Sequence, residues 1–151
     1  MTSSNLIGAA FTFGAARMKL RAQILGPHAE VRTTESRPIF CMYFPVSGSF
    51  GALSGVDMVT SPNQFSLLAL DDQKDSRETV VASVGITGGS MGADTKKVIL
   101  LTADRIRPRV YKVTPSADLK PGEYAFIATM PGVTPETPPT MVVYDFGVNA
   151  K

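Results

Sequence analysis

The stretch from Val110 to Ile127, VYKVTPSADLKPGEYAFI, decides how the chain is read. Two apolar segments, VYKVTP and EYAFI, flank a polar corner that contains Pro121 and Gly122, and neither has the spacing of a helix. Proline fixes φ and glycine accepts positive φ, so the pair turns the chain sharply and delivers Tyr124 straight into the next strand. A tyrosine entering a core needs a partner for its hydroxyl, and a rigid turn a few residues upstream supplies one at small entropic cost.

Working outward, the same signature recurs. TMVVYDFGV reads as a closing strand after the Pro-rich segment MPGVTPETPP. Toward the N-terminus, MKLRAQIL puts Met18, Leu20, Ala22 and Ile24 on one face and Lys19, Arg21 and Gln23 on the other, a strand with one wet side. Gly26-Pro27 then turns the chain, and HAEVRTT alternates again, which predicts a hairpin. PIFCMYFP is apolar on both faces and predicts a central strand with a buried, inert Cys41. QFSLLAL and ETVVASVG read as strands about the polar turn DDQKDSR, KKVILLTA as another after the glycine-rich GITGGSMGAD, and VSGSFGALSGVDMVTSPN as a long loop. Short strands without a crossover helix exclude a parallel sheet and predict an all-β antiparallel sandwich of about eight strands.

The corner Leu119-x-Pro121-Gly122-x-Tyr124 resembles that of immunoglobulin-like and fibronectin type III-like sandwiches, where a strand crosses from one sheet to the other. The resemblance implies a Greek-key β-sandwich in which Leu119 plugs the core, Pro121 and Gly122 make the turn, and the Tyr124 hydroxyl bonds back to the nearby backbone. It covers about the last 40 residues. The chain has one cysteine and no tryptophan, so the paired cysteines and core tryptophan of antibody domains are missing. The resemblance therefore carries a fold and no activity.

A chain of 151 residues suits one domain, and 44% apolar content excludes a disordered polymer. We read residues 18–151 as the sandwich and 1–17 as an N-terminal apolar segment, an extra strand or a docking arm. The net charge of +2, from 15 basic and 13 acidic residues, points to neither nucleic acid nor a membrane surface. No apolar run reaches the ~18 residues of a membrane span, and the opening residues lack the basic start of a signal peptide.

Motifs that carry chemistry are weak. The glycine-rich segment lacks the Gly-Lys-Ser/Thr ending of a phosphate loop. Asp71, Asp72 and Asp75 offer carboxylates to calcium, but without the glycine and distal glutamate of the twelve-residue calcium loop they read as a solvated turn. Cys41 and His28 are the only residues of their kinds, and an apolar strand makes a poor place for a nucleophile. Met42, Met58, Met91, Met130 and Met141 suggest a likeness to small periplasmic copper-resistance sandwiches, since thioethers favour Cu(I). They are scattered, and the histidine-bearing segment of that group is absent, so core filling explains them better.

Two features point to partner binding. Arg105, Arg107 and Arg109 alternate in RIRPRV, and in an extended chain they share one side, either as a solvated edge that discourages aggregation or as a grip on a partner. Leu6, Ile7, Phe11 and Phe13 make the N-terminal segment apolar enough to add as a strand to its own sheet or to a neighbour's. The sequence therefore predicts a non-enzymatic interaction or assembly module with a protein partner, self-association included, and no cofactor. A metal-binding sandwich and a hydrolase with an unrecognised site are the alternatives.

Overall fold

A computed structural model of the chain describes residues 6–14, 17–44, 59–85, 96–130 and 140–151, with the backbone alone described for 6–14, 17–20, 82–85, 129, 130 and 140. The described residues are all-β and contain no α-helix, only a 3-10 turn at Pro62–Gln64 capped by the Ser61 hydroxyl. In chain order the strands are β1 Leu6–Gly14, β2 Arg17–Leu25, β3 Arg32–Thr33, β4 Phe40–Tyr43, β5 Ser66–Ala69 and β6 Asp71–Asp72. They continue with β7 Ser76–Gly85, β8 Val98–Ile99, β9 Leu101–Arg107, β10 Val110–Pro115, β11 Gly122–Met130 and β12 Thr140–Val148. The twelve strands among the described residues exceed the eight or so expected: KKVILLTA breaks into β8 and β9 at the exposed Leu100, β6 forms within the polar DDQKDSR, and β1 adds the N-terminal segment.

The strands form three sheets, ordered β1-β2-β7-β6, β4-β10-β9 and β3-β12-β11-β5-β8. The five-stranded sheet lies in the middle, because alternation gives it two apolar faces. Leu67, Tyr124, Phe126, Phe146 and Val148 meet Phe40 of β4 and Val113 of β10 on one side. Leu68, Ala125, Ile127 and Val143 meet Ala22 and Ile24 of β2 on the other. Aromatic rings dominate the first interface: Phe40 stands edge-on to Phe126 at 4.8 Å, and Tyr124 stacks on Phe146 at 5.6 Å. Burying one such ring stabilises the fold by roughly 1.5–3 kcal/mol.

The corner joins two of these layers. β10 belongs to the three-stranded sheet and β11 to the middle one, so the residues between Pro115 and Gly122 carry the chain across. Leu119 is buried beneath the crossing and donates its N–H to Ser36 O at 2.7 Å. Gly122 turns with φ 157°, Pro121 stays exposed, and the Tyr124 hydroxyl donates to Lys120 O at 2.7 Å.

Three local readings need correction. PIFCMYFP forms an edge strand of the three-stranded sheet: Phe40 points into the core while Cys41 and Tyr43 are exposed. Apolar residues on both faces suggest two-sided burial, but among the described residues only the Phe40 side of this sheet is covered by another layer. HAEVRTT makes no hairpin with β2; only Arg32–Thr33 pair, and they run parallel to β12. DDQKDSR is not wholly a turn, since Asp71–Asp72 pair with Arg77–Glu78 at the start of β7, and Arg77 is taken into the interior. GITGGSMGAD lies outside the described residues, apart from the last residue of β7, as do most of the long loop after Phe44 and most of MPGVTPETPP. No helix among the described residues is long and apolar enough to cross a membrane.

Candidate functional site

Three places concentrate chemistry. The first is a buried polar cluster that sequence reading missed. Register sets Arg77 of β7 opposite Ile24 of β2, so its side chain turns inward with the apolar set and is 2% exposed. On the facing surface of the middle sheet, Glu123 and Asp145 occupy the alternate positions shared with Ala125, Ile127 and Val143. Arg77 Nη1 donates to Asp145 Oδ2 at 2.5 Å and to Glu123 Oε2 at 3.3 Å, while Nε donates to Gly26 O at 2.9 Å and Nη2 to Leu25 O at 3.2 Å. Glu123 also accepts from the Ala29 N–H at 2.8 Å and from Arg32 Nη1 at 2.6 Å, and His28 Nδ1 lies 3.5 Å from Oε1.

The cluster is closed. Two carboxylates face two guanidiniums, and the Arg77 fork is matched on all three nitrogens, so little remains to act on a substrate. Its chemistry is fastening: Glu123 and Arg77 pin the turn from Leu25 to Ala29 against the sheets. Arg32 is further held by Asn149 Oδ1 at 2.6 Å and lies over Gly147, where an added methyl would meet its Cζ at 2.6 Å. A signal existed in the sequence: Glu123, Asp145 and Arg77 each interrupt an otherwise apolar strand face, and charges placed so must be paired.

The second place is a recess of about 320 Å³ beside β4, walled by Phe44, Val59, Phe65, Val142, Tyr144 and the exposed Cys41 among others. Among the described residues no charged side chain lines it, and Cys41 has no histidine beside it there. His28 is exposed and stands by Glu123 instead. Asp71 pairs with Lys97, and no three metal-ligating side chains gather among the described residues. Met42 and Met141 pack against the two cores, whereas Met58, Met91 and the Met130 side chain lie outside the described residues.

The third place is the β9–β10 hairpin. β9 is the last strand of its sheet, and every residue from Thr102 to Arg107 is exposed, including Ile106 at 58%. A register shift between Val110 and Tyr111 sets Arg107 against Val110 but Arg105 against Tyr111, so β9 carries a bulge at Ile106. The three arginines do not share one side as the extended reading required: the shift puts Arg105 and Arg107 on opposite faces of the sheet, and beyond them comes Arg109. It occupies the turn after Pro108 with φ 62°, a left-handed conformation that glycine adopts without strain and arginine does not. Asp104 is opposed by Lys112 across the ladder, and no ion pair compensates the three arginines among the described residues.

The N-terminal segment is placed as a strand of its own chain: β1 runs antiparallel to β2, with Phe11 opposite Leu20 and Phe13 opposite Met18. The surroundings of the Leu6, Ile7, Phe11 and Phe13 side chains lie outside the described residues. The chain matches no protein-family model, no curated protein and no solved structure.

Proposed function

We propose that this chain is a non-enzymatic interaction module, built on an immunoglobulin-like Greek-key sandwich, that recruits a protein partner through the free edge of β9. The observation that carries the reading is the exposure of β9 on both faces, together with an outer edge that no strand pairs among the described residues. Such an edge presents a row of backbone donors and acceptors ready for another chain. The strained Arg109 supports the same reading, because a side chain kept where glycine would relax the backbone is commonly kept for what it contacts. The immunoglobulin-like assignment is supported by the Tyr124 corner, whose bond returns to the backbone four residues upstream.

A photo-reactive amino acid installed at Ile106 tests this in the native host. Cross-links to a defined partner are expected at Ile106 and not at the exposed Glu35, which lies on no sheet edge. Equal cross-linking at both positions would remove the edge from consideration.

A further inference from the structure

The edge also has a chemistry that selects its occupant. Resting on the edge reading above, we infer that β9 takes an acidic extended peptide as an added strand, its carboxylates meeting Arg105, Arg107 and Arg109. The bulge sets Arg105 level with Tyr111 and Arg107 level with Val110, neighbours on β10 whose side chains take opposite faces, so an added strand meets one arginine on each face through acids at adjacent positions. The bulge at Ile106 lies between Arg105 and Arg107, where an irregular edge re-aims side chains, and Ile106 itself offers an apolar contact between the two charges. Asp104, the one acid on β9, already faces Lys112, so the edge retains a positive surplus that an acidic strand offsets.

The alternatives fit less well. A second copy pairing two-fold through β9 sets Asp104 against Asp104 when centred there, and Arg105 against Arg105 one residue on, and like charges directly opposite destabilise a ladder. A single-stranded nucleic acid gains its affinity by stacking on aromatic side chains, and β9 has none.

The test uses the full chain and three nine-residue peptides, each three repeats of Thr-Glu-Glu, Thr-Gln-Gln or Thr-Lys-Lys, so that both faces of the strand carry the side chain under test, measured by isothermal titration. The glutamate peptide is expected to bind in preference to the other two, to weaken about 10-fold or more on double substitution Arg105→Glu with Arg107→Glu, and to weaken with added salt. N-methylating alternate residues of that peptide should abolish binding in one of the two possible patterns, which a merely electrostatic contact would not show. Equal binding of the glutamate and glutamine peptides, unchanged in the double variant, would overturn the acidic partner while leaving the edge reading intact. Absence of binding by the glutamate peptide at millimolar concentration overturns the inference, and the Ile106 cross-link then judges the edge reading separately. Binding of oligothymidylate with the same loss in the double variant would overturn it in favour of a polyanion.

Discussion

Arg77 and Arg105 are both strand residues, one on β7 and one on β9, and their surroundings are opposite. Arg77 is 2% exposed and donates to two carboxylates and two carbonyls, whereas Arg105 is exposed and has no ion-pair partner among the described residues. The difference follows from layering. β7 lies against the middle sheet, so a charge turned inward there leaves water and must find every partner inside the protein. β9 ends its sheet, so a charge there keeps its water and is free to exchange it for a partner. A matched arginine is structural and an unmatched one is available, and the distinction can be broken experimentally from either side.

The largest effect belongs to the matched arginine. Arg77→Met should destabilise the fold by roughly 3–5 kcal/mol, because Glu123 and Asp145 are left buried without the guanidinium that joins them. Urea unfolding monitored by circular dichroism measures it. A midpoint close to the parent's would mean that the cluster relaxes into water and that Arg77 belongs with Arg105.

The corner comes next. Tyr124→Phe keeps the ring that stacks on Phe146 but removes the donor to Lys120 O, which should cost roughly 1–3 kcal/mol. Burial also raises the Tyr124 phenol above its ordinary pKa of 10.0. A group whose folded pKa is raised contributes stability in full below the unfolded value and loses it as pH rises through the folded one. Parent stability should therefore fall above pH 10 by up to about 1.4 kcal/mol per pH unit from this group, and the phenylalanine variant should lack that component. Parallel stability curves for the two proteins above pH 10 would detach Tyr124 from the core.

These two sites differ in how legible they are in sequence. The corner is local: Leu119, Pro121, Gly122 and Tyr124 lie within six positions, and the turn chemistry of Pro-Gly predicts the conformation before any partner is known. The ion cluster joins residues 46 and 68 positions apart, and only strand register across two layers brings them together. Glu123 was visible as part of a strand, yet nothing local says which arginine faces it. β4 misled for a related reason: composition reports that PIFCMYFP is apolar, whereas the exposure of Cys41 depends on whether a further layer covers that sheet. The triplet at Arg105, Arg107 and Arg109 was legible as charge, but the left-handed turn at Arg109 and the bulge at Ile106 come from hairpin geometry.

Thr79 sharpens the comparison within the matched region itself. It is fully buried on β7, two residues beyond Arg77, and its hydroxyl finds no partner among the described residues. Thr79→Val keeps the shape and removes an unsatisfied polar group, so stability should rise by about 1 kcal/mol. A loss of stability on thermal unfolding would reveal that the hydroxyl is bonded after all, and that the interior is wetter than its packing indicates.

The smallest expected effect is the most informative for function. Replacing Arg105 and Arg107 together by alanine removes two exposed charges that make no ion pair among the described residues, so each substitution should alter unfolding stability by no more than about 0.5 kcal/mol. Like charges on one edge repel, and their removal can even be slightly stabilising. Partner cross-linking at Ile106 should fall in the same variant while the urea midpoint holds. That separation of stability from binding is what an available arginine predicts and a structural one forbids. If the midpoint drops as cross-linking does, the guanidiniums hold the hairpin in shape, and the edge loses its claim to a partner.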